Sequence, residues 1–180
     1  MRILRRFLCF IASRVFFLTV ISALLIMSFY LAMNTTNIWV LIDDGLDARA
    51  GVVLMDEDSG VLEKYFRAEF IGLDPVLQVG MSDASPYKDY EIYGYDHRVR
   101  MVSVWAWPWE NVARAEIIES IPAIDGTIRS SKREAALAAG GEARLAPPKW
   151  ESYRYRVTLV RSAGQWKISN LQVLEQLGDE

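Results

Sequence analysis

The feature that most constrains this chain is an apolar run near its amino terminus. Residues 15–33 read VFFLTVISALLIMSFYLAM, which is 19 residues without a charge or a proline. A helix of this length can cross the ~30 Å hydrocarbon core of a lipid bilayer. The uncharged sequence continues through Asn34 and two threonines, which suit the headgroup level, with Tyr30 and Trp39 as interfacial aromatics. We therefore expect a transmembrane helix over residues 15–36.

The charges on the two sides of this run are unequal. Four arginines precede it, at positions 2, 5, 6 and 14, whereas all 23 acidic residues follow it. Basic flanks remain on the cytoplasmic side of a membrane. The sequence therefore predicts a single-pass protein of the cell membrane, with a short basic cytoplasmic tail at residues 1–14 and an extracytoplasmic domain at residues 37–178.

Two other interpretations of the amino terminus compete with an anchor. A cleaved signal peptide has a shorter apolar run, about 7–15 residues, followed by small residues. The best cut here, after Ala32, has Tyr30 where a small residue is needed. The adjacent Arg5 and Arg6 match part of a twin-arginine signal, but positive-inside charge explains them more simply. We therefore expect an uncleaved anchor.

Composition narrows the class of the external domain. Beyond residue 33 about 147 residues remain, enough for one domain, and they carry 16 basic and 23 acidic residues, a net charge of −7. Nucleic acid and anionic lipid surfaces are therefore poor partners. The one cysteine, Cys9, precedes the apolar run, so the domain has no disulfide. This combination is typical of a bacterial cell-surface protein.

Helical spacing follows the apolar run. Over residues 37–55, apolar side chains recur on one side, with aspartates and Arg49 on the other and Gly45 as a possible kink. The expected buried residues are Ile42, Leu46, Ala50, Val53 and Leu54. A second helix is predicted over residues 61–70, ending at Gly72, and Asp74-Pro75 predicts a short helical turn. The expected buried residues of this second helix are Leu62, Phe66 and Phe70.

After residue 97 the apolar side chains follow the two-residue period of a strand. Residues 98–109 read RVRMVSVWAWPW, which predicts a central strand with two apolar faces, and residues 111–121 predict its return, although Ile118 and Glu119 break the alternation. Residues 152–175 predict a terminal hairpin. A bulge near Ser169 and Asn170 would place four side chains on one face: Trp166, Ile168, Leu171 and Val173.

Residues 123–149 show neither spacing. They are rich in alanine, glycine, proline and charge, and they are longer than most connections between strands. We expect a mobile insertion here, with one or two helical turns in its alanine-rich part.

The order of these elements resembles the nuclear transport factor 2-like superfamily. Two amino-terminal helices precede long bent antiparallel strands, and the chain finishes in a hairpin that reads YRVTLVRSAGQWKISNLQV. The resemblance covers roughly residues 40–175. It implies an α+β fold in which a curved antiparallel sheet wraps around the amino-terminal helices as a cone. The superfamily includes ketosteroid-isomerase-like enzymes, polyketide cyclases and non-catalytic assembly domains, among them bitopic components of type IV secretion and conjugation machines.

An enzyme on such a fold needs an acid–base residue with a tuned pKa in an apolar pocket. The candidates are Asp96 and His97, beside Tyr93 and Tyr95. Adjacent strand residues point to opposite faces, so Asp96 and His97 cannot both face one pocket. The simpler interpretation is an exposed Asp-His pair where a strand begins, and no catalytic motif of the superfamily maps onto numbered positions.

Motifs for metals and cofactors are missing from the sequence. The acidic stretch DEDSG at residues 56–60 fails as an EF-hand loop, because glycine and glutamate are needed where Val61 and Arg67 stand. It is better interpreted as a solvated turn that caps the second helix. Neither a glycine-rich phosphate loop nor cysteine and histidine at metal-binding spacing is found. We therefore expect no cofactor.

Trp105, Trp107 and Trp109 are spaced two apart and share one face of a strand. One interpretation is an aromatic core packed on the helices. The other is the mouth of the cone or a partner surface, since Trp and Tyr are enriched in binding hot spots. Trp109 follows Pro108, where the strand ends, so it is the one expected to be exposed. Tyr93 and Tyr95 are further possible partner or pocket residues.

These features predict a non-catalytic protein–protein interaction or assembly domain of a cell-envelope process such as secretion, conjugation or sporulation. Its partners would be the bilayer, through residues 15–36, and other envelope proteins or a second copy of the chain. The alternative is a small-molecule-binding or isomerase- or dehydratase-like domain with a polar group deep in the cone pocket, whereas an assembly domain should have that pocket filled by tryptophan and tyrosine. A pure anchor or sensor is a third hypothesis.

Overall fold

A computed structural model describes the backbone of residues 2–178 and the side chains of residues 10–138, 141–142 and 144–178. The fold is α+β, as expected: a long apolar helix at the amino terminus is followed by antiparallel sheets. The predicted tail forms the first turns of this helix from Arg2 onward, and Met1 lies outside the described residues.

Helix α1 runs without interruption from Arg2 to Leu54, a length of 53 residues. Its apolar part is unburied and long enough to cross a membrane, which is compatible with a single span or a signal sequence. The helix is continuous through Gly45, where a kink was a possible outcome. A Cβ at Gly45 would lie 3.1 Å from Tyr65 Cβ and 3.2 Å from Ile168 Cδ1, so this glycine serves close packing.

The carboxyl-terminal part of α1 is the centre of the hydrophobic core. All five side chains expected to be buried there are buried, and Ile38 extends the stripe toward the amino terminus. Arg49 was expected on the polar side of the helix, and this expectation is wrong. Its guanidinium is buried because two carboxylates from other elements surround it.

The second predicted helix is divided into two short pieces. A 3₁₀ helix spans Ser59–Lys64 and α2 spans Ala68–Ile71, with Gly72 as the C-cap. The break falls at Phe66, which bridges to Ile168, while the Arg67 amide donates to the Ile168 carbonyl at 2.9 Å. Pairing with a strand thus replaces the helical hydrogen bonds of this segment.

The short turn predicted at Asp74-Pro75 is confirmed. Helix α3 spans Pro75–Gly80, and its N-cap is Asp74, whose carboxylate accepts from the Val76 amide at 3.0 Å. Proline at the first helical position suits its fixed φ.

The main sheet has four antiparallel strands in the order β2-β3-β5-β6. They span β2 Arg98–Trp105, β3 Val112–Ser120, β5 Ser152–Ser162 and β6 Gln165–Leu177. Strand β2 was expected to be central but lies at an edge, so that expectation is wrong. In β3 the alternation holds throughout, since Glu119 shares the inner face with Ala115 and Ile117.

A second sheet pairs β1 Tyr90–Tyr95 with β4 Ile124–Ile128 in antiparallel fashion. Neither strand shows a period of two in the sequence. Strand β4 lies in a segment that shows no strand spacing in the sequence. Helix α4, Arg133–Gly140, confirms the helical turns expected in the alanine-rich part of the same segment. The mobility of this segment remains a prediction.

The terminal hairpin has the predicted bulge. Leu159 pairs with Ile168 and Thr158 with Asn170, so Ser169 is the extra residue. The turn of the hairpin contains Ala163 and Gly164 with φ of 49° and 83°, values typical of the type I′ turn that joins twisted strands. A second register shift follows beside Tyr155. Whether the curved strands form the cone of the nuclear transport factor 2-like superfamily remains a prediction.

Candidate functional site

The inner face of the sheet holds a buried cluster of charges around Arg49. The Arg49 Nε and Nη2 atoms donate to the two carboxylate oxygens of Asp74, at 2.5 and 3.1 Å. The Arg49 Nη1 atom lies 3.8 Å from Glu119 Oε2. The three side chains are only 2%, 3% and 0% exposed. We call these three residues the Arg49 anchor, because they join α1, α3 and β3.

The electrostatics of this cluster favour the charged guanidinium. Burial alone lowers the pKa of Arg49, but the hydrogen bond and charge of Asp74 and the charge of Glu119 outweigh it, and the pKa is raised. The pKa of the neighbouring Tyr155 phenol is also raised, by burial first and then by the charge of Glu119. Arg49 therefore stays a cation and Tyr155 stays neutral at physiological pH.

His97 reaches the same cluster from the connection between β1 and β2. Its Nε2 atom lies 3.3 Å from Glu119 Oε1, and its Nδ1 atom lies 3.8 Å from Asp47 Oδ1. The imidazole is 5% exposed, so the simpler expectation of an exposed pair is wrong for this residue. Asp96 points outward and accepts from Arg98 at 2.5 Å. The His97 side chain is thus buried whereas the Asp96 side chain reaches solvent, and the two candidate acid–base residues do not share a pocket.

Two adjoining cavities lie beside the Arg49 anchor. The first, of about 410 Å³, is lined by Arg49 and Asp74 together with Tyr153 and Tyr155. The second, of about 470 Å³, shares both tyrosines and is otherwise mostly apolar, with Trp150 in its wall. His97 and Glu119 line neither cavity. A ligand in the first cavity would meet Arg49 and Asp74, which already bind one another.

The described residues offer no metal site, since no three His, Cys, Asp or Glu side chains among them lie close enough to hold an ion. Tyr93 and Tyr95 also have separate surroundings. The Tyr95 hydroxyl donates to the Asp47 carbonyl at 3.1 Å and so ties β1 to α1. Tyr93 projects into solvent.

The outer face of the main sheet is covered by arginines. Cross-strand pairs place β2, β3 and β5 side chains on this face; its basic members, here the arginine face, are Arg98, Arg100, Arg114, Arg154 and Arg156. Glu116 accepts from Arg154 at 3.0 Å and from Arg156 at 3.1 Å, and these bonds lower the pKa of its carboxyl. Arg100 and Arg114 make no ion pair with any side chain that the structure describes.

The three tryptophans of β2 and its turn do not fill a pocket. The Trp107 ring centroid lies 5.4 Å from that of Trp105 and 5.0 Å from that of Trp109. Trp105 is 61% exposed and Trp109 is 68% exposed, so the predicted exposure of Trp109 is confirmed. We call the three residues the tryptophan ladder.

A second polar residue of α1 holds the opposite end of the sheet. The Asn34 Nδ2 atom donates to the Ala106 carbonyl at 3.3 Å, and its Oδ1 atom accepts from Arg161 at 2.9 Å and from Trp166 at 2.8 Å. The Arg161 guanidinium also lies 4.4 Å above the Trp166 ring. This group, the Asn34 anchor, fixes both hairpin turns to the helix.

The resemblance to the nuclear transport factor 2-like superfamily stays a prediction. Comparison of the chain with protein-family models, curated proteins and solved structures finds no match.

Sequence reasoning missed the two anchors and the arginine face. The signal for the arginine face is present, because arginines alternate at 98 and 100 and again at 154 and 156. Glu119 also has the strand parity of Ile117, which would have placed it inside. Asn34 carries no signal, since its three partners lie more than 70 residues away.

Proposed function

We propose that this protein is a single-pass membrane anchor whose external domain acts in a cell-envelope assembly by binding an acidic surface of another protein. The observation that carries the proposal is the arginine face on a domain whose net charge is −7. Concentrating cations on one side of an acidic domain steers and orients a partner of opposite charge. Arginine is also enriched in protein interfaces.

The anchor is supported by the continuity of α1. The same helix is exposed and apolar over residues 15–33 and becomes the core of the domain from Asn34 onward. An exposed apolar surface of this size is unfavourable in water and favourable in a bilayer. The basic residues before residue 15 support a cytoplasmic amino terminus.

Topology is tested by a reporter that is active only in the cytoplasm, fused after Glu180, which itself lies outside the described residues. We expect no activity from the full-length fusion. Activity at that position would reverse the orientation and remove the external domain from the proposal.

Association is tested by photo-crosslinking in intact cells from Thr158, which pairs with Arg114 in the centre of the outer face. We expect one discrete crosslinked species, and Arg100→Glu with Arg114→Glu should abolish it. Arg133→Glu with Arg144→Glu is the matched control, because it makes the same two charge reversals on exposed residues elsewhere. Crosslinking that survives the double reversal would contradict the proposal.

The cavity lined by Arg49 and Asp74 favours a second candidate, the binding of a small molecule. Its walls combine charged and aromatic groups, as ligand sites commonly do. Val173→Trp, a change of an exposed wall residue, should fill the cavity without disturbing the arginine face. Loss of function with crosslinking intact would favour the second candidate over assembly.

A further inference from the structure

The tryptophan ladder is attached to α1 at a definite level. Trp105 ends β2, and the other two indoles lie in the turn toward β3. In this turn the carbonyl of Ala106 accepts from Asn34. The carbonyl of Pro108 accepts from Arg161 at 3.1 Å, and Arg161 also donates to Asn34. The ladder is therefore held beside the helix turn that contains Asn34.

Asn34 directly follows the apolar run. At 1.5 Å per residue, 19 residues extend about 28 Å, which matches the ~30 Å hydrocarbon core and places the end of the run at its edge. The headgroup regions extend several ångströms further on each side. A ladder fixed at Asn34 consequently lies at headgroup level whenever α1 spans the bilayer.

The chemistry of the ladder suits this depth. Indoles prefer the membrane interface, because the ring is largely apolar while its N–H needs a polar partner. The three indoles contact one another there, edge to face between Trp105 and Trp107 and stacked between Trp107 and Trp109, and two of them are more than half exposed. Glu110 and the Arg161 guanidinium both lie at this turn. Their charges balance, so a zwitterionic headgroup region is the matching surface.

We propose that the tryptophan ladder inserts into the headgroup region of the same bilayer that α1 crosses, so that the domain rests on the membrane. This inference depends on the membrane anchoring proposed above but not on the arginine face. The occupant of the ladder is lipid. Trp105 pairs with Arg114 on the outer face of the sheet, so the ladder borders the arginine face, and the partner protein binds the arginines that lie beyond it.

The test reconstitutes the full-length protein in vesicles of phosphatidylcholine brominated near the headgroup end of the acyl chains. Bromine quenches indoles that it contacts. We expect strong quenching of wild type, and in Trp107→Phe with Trp109→Phe the quenched part of the emission should fall by about half, because Trp39 and Trp105 remain at the interface. Trp150→Phe is the matched control, since Trp150 lies at the other end of the sheet.

Each outcome has a distinct meaning. Quenching that is lost equally in the double variant and in the Trp150→Phe control would overturn the docking, and so would unquenched emission from protein that resists alkaline extraction from the vesicles. A protein that is released by alkaline extraction would overturn the anchor and the docking together. If circular dichroism shows that the double variant is unfolded, the single variant Trp109→Phe must reduce the quenching for the proposal to hold. This variant should stay folded, because the exposed Trp109 side chain contributes little to folding.

Discussion

Asn34 and Arg49, two polar side chains that α1 buries, hold the sheet in different ways. Asn34 is neutral, and all three of its hydrogen bonds reach the hairpin turns. Arg49 lies about 22 Å further along the helix axis and is a charge between two carboxylates. A neutral amide can be buried once its hydrogen bonds are satisfied, whereas a guanidinium can be buried only beside opposite charge. The end of the domain next to the apolar run of α1 thus depends on hydrogen-bond geometry, and the far end depends on charge balance.

The largest expected effect comes from breaking the Arg49 anchor. Arg49→Ala leaves Asp74 and Glu119 buried without a cation, and the free energy of unfolding should fall by about 3–5 kcal/mol. Urea unfolding of the full-length protein in detergent micelles, followed by tryptophan emission, measures it. Arg67→Ala is the control, because the Arg67 side chain is 43% exposed and its loss should cost less than about 0.5 kcal/mol. Equal losses of stability in Arg49→Ala and Arg67→Ala would mean that Asp74 and Glu119 become hydrated once Arg49 is removed.

Breaking the Asn34 anchor should cost less. Asn34→Ala removes one donor and one acceptor, leaves the buried Trp166 N–H without its partner, and should lower the free energy of unfolding by about 1–3 kcal/mol. The same titration checks this, with the exposed Asn37→Ala on the same helix as the control. A loss as large as that of Arg49→Ala would contradict the distinction between a neutral and a charged anchor.

The double variant sharpens the comparison. The two anchors share no partner and lie about 22 Å apart on the helix, so their effects should add to within about 0.5 kcal/mol. A larger coupling energy in the double-mutant cycle would show that the sheet transmits strain between its ends.

The smallest expected effect concerns pH at the far end. Burial raises the pKa of the Asp43 carboxyl; His97 opposes this, and Asp44 and Asp47 add to it. Because the folded pKa is above that of the unfolded chain, the folded state binds more protons between the two values. The contribution of Asp43 to stability therefore falls as pH rises through that window.

Asp43→Asn should remove this dependence and raise stability at neutral pH by less than about 0.5 kcal/mol. The difference between the urea unfolding profiles of wild type and variant from pH 4 to pH 8 measures it. A difference that grows in the opposite direction would mean that Asp43 is stabilised as an anion.

Sequence periodicity predicted the elements whose buried faces follow from the spacing of apolar side chains along the chain. The stripe at Ile42, Leu46 and Ala50 is apolar and helical in spacing, and the Ser169 bulge follows from a parity change in one strand. Both signals are local, so the sequence alone contains them.

The anchors escaped prediction because their stabilising partners are distant in sequence. Arg49 lies three residues after Leu46 and so belongs to the buried stripe by geometry, but its charge argued for exposure. Its carboxylate partners, Asp74 and Glu119, lie 25 and 70 residues away. A buried charge is favourable only after such pairing, and no local pattern shows which charges will pair.

The unbroken course of α1 also determines how neighbouring molecules can meet. From Asn34 to Leu54 the helix rises about 30 Å. If its apolar part spans a bilayer as proposed, each domain is held at a constant height and cannot rotate about a flexible joint. Copies in one membrane would lie side by side, with all their domains on the same side of it. Any closed assembly of them must then have its symmetry axis perpendicular to the membrane, as a lateral pair or ring.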